Sequence, residues 1–577
     1  MSGGKAGSGK KDEAGLIEDI GREVKRTAAL EARAHLTPAV FKSYGAPPPP
    51  VDPAKVPREL VEECFPLEHY GDGKLLAYMF KNRYLRDNQA TGGDDKKQSL
   101  YIYKYNGHNW DLDIAKCWQN DFMWALGEVY RLMAETLYAE ILEEYHLESL
   151  AQVRRLHKEL KTDAEPKNVA LLKKGDDYMT RRKRVMTRKW LHDAADVAFS
   201  GEESLSFKGK WNDHPTWLPC LNGTVDLSTG ELMEPKPEHY FNMCLEYEYK
   251  GPDEACPEWL DMVGRVFGYD QELIEFMELI IGAACTGFQP KYLVIGFGPK
   301  ANNGKSLFFG TLLKILNPFS CTMAVDVLLK QGPRSSSSGR PELLRLDGKR
   351  MVVTKEADGS AVFDCGQVKD LTSGGDEISH RNLHNPAFQS FAQSHSLFIH
   401  TNSIPRLYGG DRGLAARLLV VPFFSSFIQP HEGEEDIERN IYHARDRWTM
   451  EAVFRRESSG ILGWLVKCAM RWLGSNRQFP PPPPEIARLS QEVMMEFDIV
   501  KQFLDERCQE DPEFSVMAKD LYANFKDWCQ NERGLSGKEI ISMQLFGRDM
   551  KNHAHSKRTS DGMEYLGLRI KPGIVEY

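Results

Sequence analysis

The alternation of apolar and polar positions along this chain predicts several separate cores rather than one. Residues 1–56 carry little apolar periodicity. They open on Met-Ser-Gly-Gly-Lys-Ala-Gly-Ser-Gly-Lys and close on a proline run at 47–50, which reads as a flexible tail with one helix over 16–33 and a stiff linker. From 57 to 253 the pattern is mixed and mainly helical. Residues 99–105 alternate like a strand, Asn106-Gly107 marks a turn, 122–145 has the period of a long helix, and 217–230 reads as short strands broken by turns. A domain over 254–475 begins with helical patterns around Trp259 and Phe276. A second proline run within 476–488 then separates it from a last domain, 489–577. There, helical patterns at 489–508, 518–533 and 537–552 precede a turn and the strand-like Met563-Glu-Tyr-Leu-Gly-Leu-Arg-Ile570, an order that suggests a winged helix.

The stretch with the most chemistry is Tyr292-Leu-Val-Ile-Gly-Phe-Gly-Pro-Lys-Ala-Asn-Asn-Gly-Lys-Ser306, followed by an apolar-faced helix. Strand, glycine-bearing turn and helix in that order are the grammar of a phosphate-binding loop, in which backbone N–H groups and a helix N-terminus face a polyphosphate. Gly298, Asn303, Gly304, Lys305, Ser306 and Leu307 are the expected nucleotide-binding residues. Lys305 would reach the β- and γ-phosphates, and Ser306 would complete the shell of a Mg²⁺ ion. Five residues separate Gly298 from Gly304, one more than in the usual pattern, so a longer loop is expected.

Three further strand ends carry candidate partners. Lys349-Arg-Met-Val-Val-Thr-Lys-Glu356 is an apolar strand ending in an acid, and Glu356 is expected to polarise the attacking water and share the metal, with Asp358 as second choice. Ser396-Leu-Phe-Ile-His-Thr-Asn402 ends in an amide that could sense the γ-phosphate. Arg417 precedes the apolar Leu-Leu-Val-Val-Pro and could reach a neighbouring subunit's nucleotide, with Arg412 as the alternative.

The chain has 577 residues, 41% hydrophobic and 27% charged, so an ordinary globular composition spread over several domains is expected. A net charge of −9 means that any nucleic-acid surface must be a local patch. Eleven cysteines without a Cys-x-x-Cys pair argue against a zinc site or a disulfide framework. No apolar run approaches the length of a membrane span, and the expectation is a cytoplasmic protein inside a host cell.

The run over 259–423 resembles a superfamily 3 helicase of the kind found in poxvirus-type, phage and plasmid primase-helicases. The resemblance rests on Asn303-Gly-Lys-Ser306, the Gly-Lys-Arg strand ending at Glu356, Leu371-Thr-Ser-Gly-Gly-Asp376 followed by Arg381, Thr401-Asn402 before Pro405, and Arg417 before Pro422-Phe423. A single Arg417, preceded by Ala416, stands where the family often has two arginines. The resemblance implies a multidomain protein with an AAA+-like α/β P-loop ATPase core, a mainly helical N-terminal domain and a C-terminal winged helix. It also implies ATP and Mg²⁺ as cofactors, a hexameric ring of identical subunits, and 3′ to 5′ movement on single-stranded DNA at replication forks. A separate primase or polymerase would then be a partner. In such proteins the segment after Gly-Gly-Asp forms a hairpin lining the channel, which makes Lys369, His380, Arg381 and His384 the expected DNA contacts, on phosphates rather than bases.

Other features weigh less. Residues 154–189 hold thirteen Lys/Arg against five Asp/Glu; a solvated helix face is the default reading, and with Tyr178 and Trp190 nearby a nucleic-acid groove is the alternative. Lys551, Lys557 and Arg558 could serve the winged helix. Asp111-Leu-Asp113 mimics a primase metal pair, but too little chain precedes it and no priming activity is expected. The rival reading is an origin-binding, scaffold or loader protein whose ATP site only controls assembly.

Overall fold

The computed structural model describes residues 51–87, 101–160, 166–201, 203–330, 341–355, 362–381, 388–405, 412–497, 499–535, 537, 540–551 and 553–571. The tail helix expected over 16–33 lies outside these residues, as do Glu356, Asp358 and His384, and the side chains of His380, Arg381 and Arg412. At the centre are five parallel strands: β1 (Leu293–Phe297), β2 (Ser320–Met323), β3 (Met351–Thr354), β4 (Ser396–Thr401) and β5 (Leu418–Pro422). They lie in the order β5-β1-β4-β3-β2.

The sheet is covered on both faces, which is why four of its strands each carry an apolar run. Val294, Met351, Val353, Phe398 and Leu419 join a core with Trp259, Phe308, Ile461 and Leu465. Their neighbours Leu293, Ile295, Val352, Leu397 and Val420 join another with Leu343, Leu371 and Leu489. The chain is thus a multidomain mixed α/β protein built round a parallel sheet.

Upstream, the helices Glu68–Met79, Cys117–Tyr145, Pro166–Val185 and Arg188–Ala198 enclose Phe122, Tyr130 and Leu137. Most of the described cations of the basic stretch are exposed, as on a solvated helix face, while a few residues of the stretch are tied into this module. Tyr178 is fully buried. The Trp190 indole donates to Asp72 at 2.6 Å. Arg154 pairs with Asp176, Lys174 with Glu62, and Arg181 with both Asp72 and Glu68. Acids on neighbouring helices pair these few cations, of which only Arg181 is buried. Asp113 caps the long helix by accepting from the Cys117 and Trp118 N–H groups, and Asp111 accepts from the Asn106 and Asn109 amides.

The short strands Trp217–Cys220 and Gly223–Asp226 pack with the sheet's own helices, not with the upstream module, since Leu218, Cys220 and Val225 share a core with Trp259. Arg350, just before β3, locks them in place. Its guanidinium, buried to the point that its pKa is pulled down to about 10, donates to the carbonyls of Cys285 (2.8 Å), His214 (3.2 Å) and Trp217. At the other end, helices Ile499–Arg507, Ala518–Asn531 and Met543–Met550 surround Phe503, Phe525 and Trp528. A three-stranded antiparallel sheet of Cys508–Met517, Gly562–Ile570 and Ser556–Thr559 accompanies them. Lys557 and Arg558 lie exposed on the edge strand.

Candidate functional site

Ligands of open parallel sheets bind beyond the carboxyl ends of the strands. At that end β1 runs into the loop 298–304 and then into α1 (Lys305–Ile315). The loop turns through left-handed backbone at Asn302 (φ 56°) and Gly304 (φ 81°), positions suited to Asn and Gly. Asn303, almost fully buried, closes the longer loop from inside, its amide donating to the carbonyls of Lys300 (2.7 Å) and Gly298 (3.3 Å). The Phe427 N–H donates to the Asn302 carbonyl at 2.8 Å and braces the loop from the far side. No side chain fits at either flanking glycine. A Cβ at Gly298 would lie 2.4 Å from the Phe423 carbonyl oxygen, and one at Gly304 2.6 Å from Val266 Cγ2.

Lys305 is only 3% exposed. Its ammonium donates to the Gly298 carbonyl at 2.9 Å and to Asn402 Oδ1 at 2.8 Å. The lysine at the start of α1 and the amide at the end of the neighbouring strand β4 therefore meet, although 97 residues separate them. Ser306 is exposed beside them. Lys305 and Ser306 line a cleft of roughly 620 Å³, a volume typical of small-ligand sites. Its other walls include Arg265, Phe427, His443, Arg445 and Asp446. Arg265 is held by Asp261 (2.9 Å) and Glu435 (3.2 Å), and Arg445 by Glu258 (2.5 Å). Sequence reasoning missed these walls. They come from segments with no motif spacing, and only the exposed ends of their apolar-faced helices signal them.

The remaining candidates sit elsewhere. Arg417 precedes β5 and lies next to Leu293, the first residue of β1, so it is one strand length, roughly 16 Å, from the loop. Its guanidinium donates to the carbonyls of Lys369 (2.7 Å) and Thr372 (3.1 Å). Lys369 is on the helix Cys365–Leu371 at that same end of the sheet. His380 and Arg381 are on the strand Glu377–Arg381, paired with Phe388–Ala392 in an antiparallel hairpin.

A Gly304→Ala substitution is expected to close the loop's left-handed turn and press Val266. Nucleotide affinity, read by titration with a fluorescent ATP analogue, should fall about tenfold or more. Unchanged affinity would show that this turn does not shape the ligand site.

Residues 74–268 match the family described as "D5 N terminal like". The chain is 26% identical over 309 residues to "Putative helicase 022R" of Frog virus 3 (isolate Goorha), covering 53% of this chain and 30% of that protein. It is 22% identical over 483 residues to "Putative helicase L207/L206" of Acanthamoeba polyphaga mimivirus, covering 82% of this chain and 47% of that protein. It thus spans less than half the length of either relative. The solved C terminal region of NrS-1 is 11% identical and covers 56% of this chain and 78% of that one, at a TM-score of 0.31. Among the described residues no helix is long and apolar enough to cross a membrane. The matched segment and the two viral proteins named as helicases fit the poxvirus-type superfamily 3 helicase–primase family.

Proposed function

We propose that this chain is an ATP-driven DNA helicase of viral genome replication, working as a ring of identical subunits on single-stranded DNA at forks. The observation that carries the reading is the meeting of Lys305, which lines the cleft, with Asn402, beside a loop with no room for side chains at Gly298 and Gly304. Those features suit a nucleoside triphosphate: backbone and helix N-terminus take the polyphosphate, and Lys305 turns from Gly298 and Asn402 to the β- and γ-oxygens. Asn402, released, is placed to hydrogen-bond the γ-phosphate or the attacking water. Gly304 and Leu307 shape the binding wall. Ser306 and Glu356 would hold Mg²⁺, which supplies neutralisation of the charge developing between the phosphates. Glu356 is also assigned the activation of water.

Arg417, or else Arg412, is assigned to the neighbouring subunit's nucleotide, in keeping with its distance from its own chain's loop. Lys369, His380, Arg381 and His384 are assigned to DNA phosphates. The three helices and three-stranded sheet over 499–571 are read as a winged helix. The test is displacement of one strand from a forked duplex by the purified protein with ATP and Mg²⁺. Strand release that requires ATP is expected. ATP binding without release or DNA-stimulated hydrolysis would favour the assembly-control reading instead.

A further inference from the structure

At the end of the sheet opposite the cleft, three neighbouring strands send side chains to one turn. β5, β1 and β4 are adjacent, and Arg417, Gln289 and Gln393 stand one, four and three residues before their respective first residues. The turn is Thr372-Ser-Gly-Gly-Asp376, from which the hairpin strand Glu377–Arg381 leaves. Gly374 and Gly375 both have left-handed backbone, φ 96° and 107°, so they direct their N–H groups outward from the turn. Gln289 Oε1 accepts from both of these N–H groups at 2.9 Å, and its Nε2 donates to the Leu371 carbonyl at 2.8 Å.

The same Nε2 meets Gln393 Oε1 at 3.0 Å. Gln393, 4% exposed, in turn donates to the Asp370 carbonyl (2.7 Å) and Ser373 Oγ (3.1 Å). Two side-chain amides thereby satisfy donors and acceptors on both sides of the turn and on each other. A buried amide satisfied at this many positions fixes one geometry, because shifting the turn would break several bonds at once.

We propose that Gln289 and Gln393 are positioning residues that fasten the root of the hairpin to β1 and β4. The hairpin is then carried by the two strands whose other ends bear the phosphate loop and Asn402. The inference rests on the proposed function, since it gives that hairpin a task. Rigid strands linking two ends of a sheet are a plain physical route for coupling, and the clamp supplies the joint such a route needs.

The test follows amide hydrogen exchange in Glu377–Arg381 and Phe388–Ala392 of the full chain, with and without a non-hydrolysable ATP analogue and Mg²⁺. In the unaltered protein the analogue should slow exchange there about tenfold. In Gln289→Ala the analogue should bind within about twofold of normal while the slowing disappears, and hydrolysis stimulated by single-stranded DNA should fall about tenfold at unchanged basal turnover and KM for ATP. Gln289→Glu keeps the acceptor for Gly374 and Gly375 and should retain more of the response than alanine does. Gln393→Ala gives a second reading from the buried side of the clamp. A hairpin response equal to the unaltered protein's in both alanine variants overturns the inference, as does a matching loss of basal turnover. No analogue binding by the unaltered protein would defeat the ATPase reading and this inference together. Binding with no hairpin response would defeat this inference alone.

Discussion

Lys305→Ala is expected to lower ATP turnover about a thousandfold or more, in line with the loss of a group that stabilises charge on transferring phosphoryl oxygens. The lysine is nearly buried, and its ammonium reaches the cleft from between the Gly298 carbonyl and the Asn402 amide. Asn303 is turned inward and Ser306 carries no charge, so Lys305 is the cation that the helix N-terminus itself supplies. Folding should survive, since Asn402 is only half-buried and water can reach the amide left behind. The check pairs a phosphate-release assay with a thermal melt of the same sample. An unaltered melt with turnover within tenfold of the original would remove Lys305, and the phosphate loop with it, from the chemistry.

The largest effect on stability is expected far from that cleft, at Asp72. Its side chain is 0% exposed and accepts from the Tyr130 hydroxyl, the Trp190 indole and Arg181. Burial pushes its carboxyl above the ordinary range, and these three donors oppose that rise. Arg181, 4% exposed, also lies over the rings of Phe65 (4.8 Å) and Trp190 (4.9 Å). Asp72→Ala leaves a buried guanidinium short of its main counter-charge, a loss of about 3–5 kcal/mol. Pairing Asp72→Leu with Arg181→Met should recover much of it, because the two changes remove the charges together. Urea unfolding followed by tryptophan fluorescence reads both. A single-variant loss under about 1 kcal/mol would mean that the network contributes little net stability.

How legible these features were depended on what hides each residue from water. Four sheet strands stood out because both faces are covered, so β1, β3, β4 and β5 each carry an apolar run, with Ser396, His400 and Thr401 buried at the ends of β4. β2, Ser-Cys-Thr-Met, did not, because it is an edge strand whose middle residues reach the surface. The periodic run over 489–508 reads as one helix. In the structure Pro484–Phe497 packs on the parallel sheet through Leu489 and Val493, while Ile499–Arg507 turns into a different core. Apolar period reports a buried face but not which body buries it. The strand Cys508–Met517 was invisible because Gln-Glu-Asp-Pro-Glu opposes strand propensity, and its pairing shifts register between Glu510 and Ser515. In the site, the loop and Asn402 were readable from strand ends. The arginine-bearing walls and the two-glutamine clamp were not, since neither has a fixed spacing in the chain.

The Arg350 anchorage sets a lower bound on what can be cut away. A fragment beginning at residue 254 would strip the His214 and Trp217 carbonyls from a guanidinium with nowhere to turn for solvent, and would bare the apolar face that Leu218 and Val225 now cover. The smallest self-sufficient piece carrying the parallel sheet must therefore start upstream of His214.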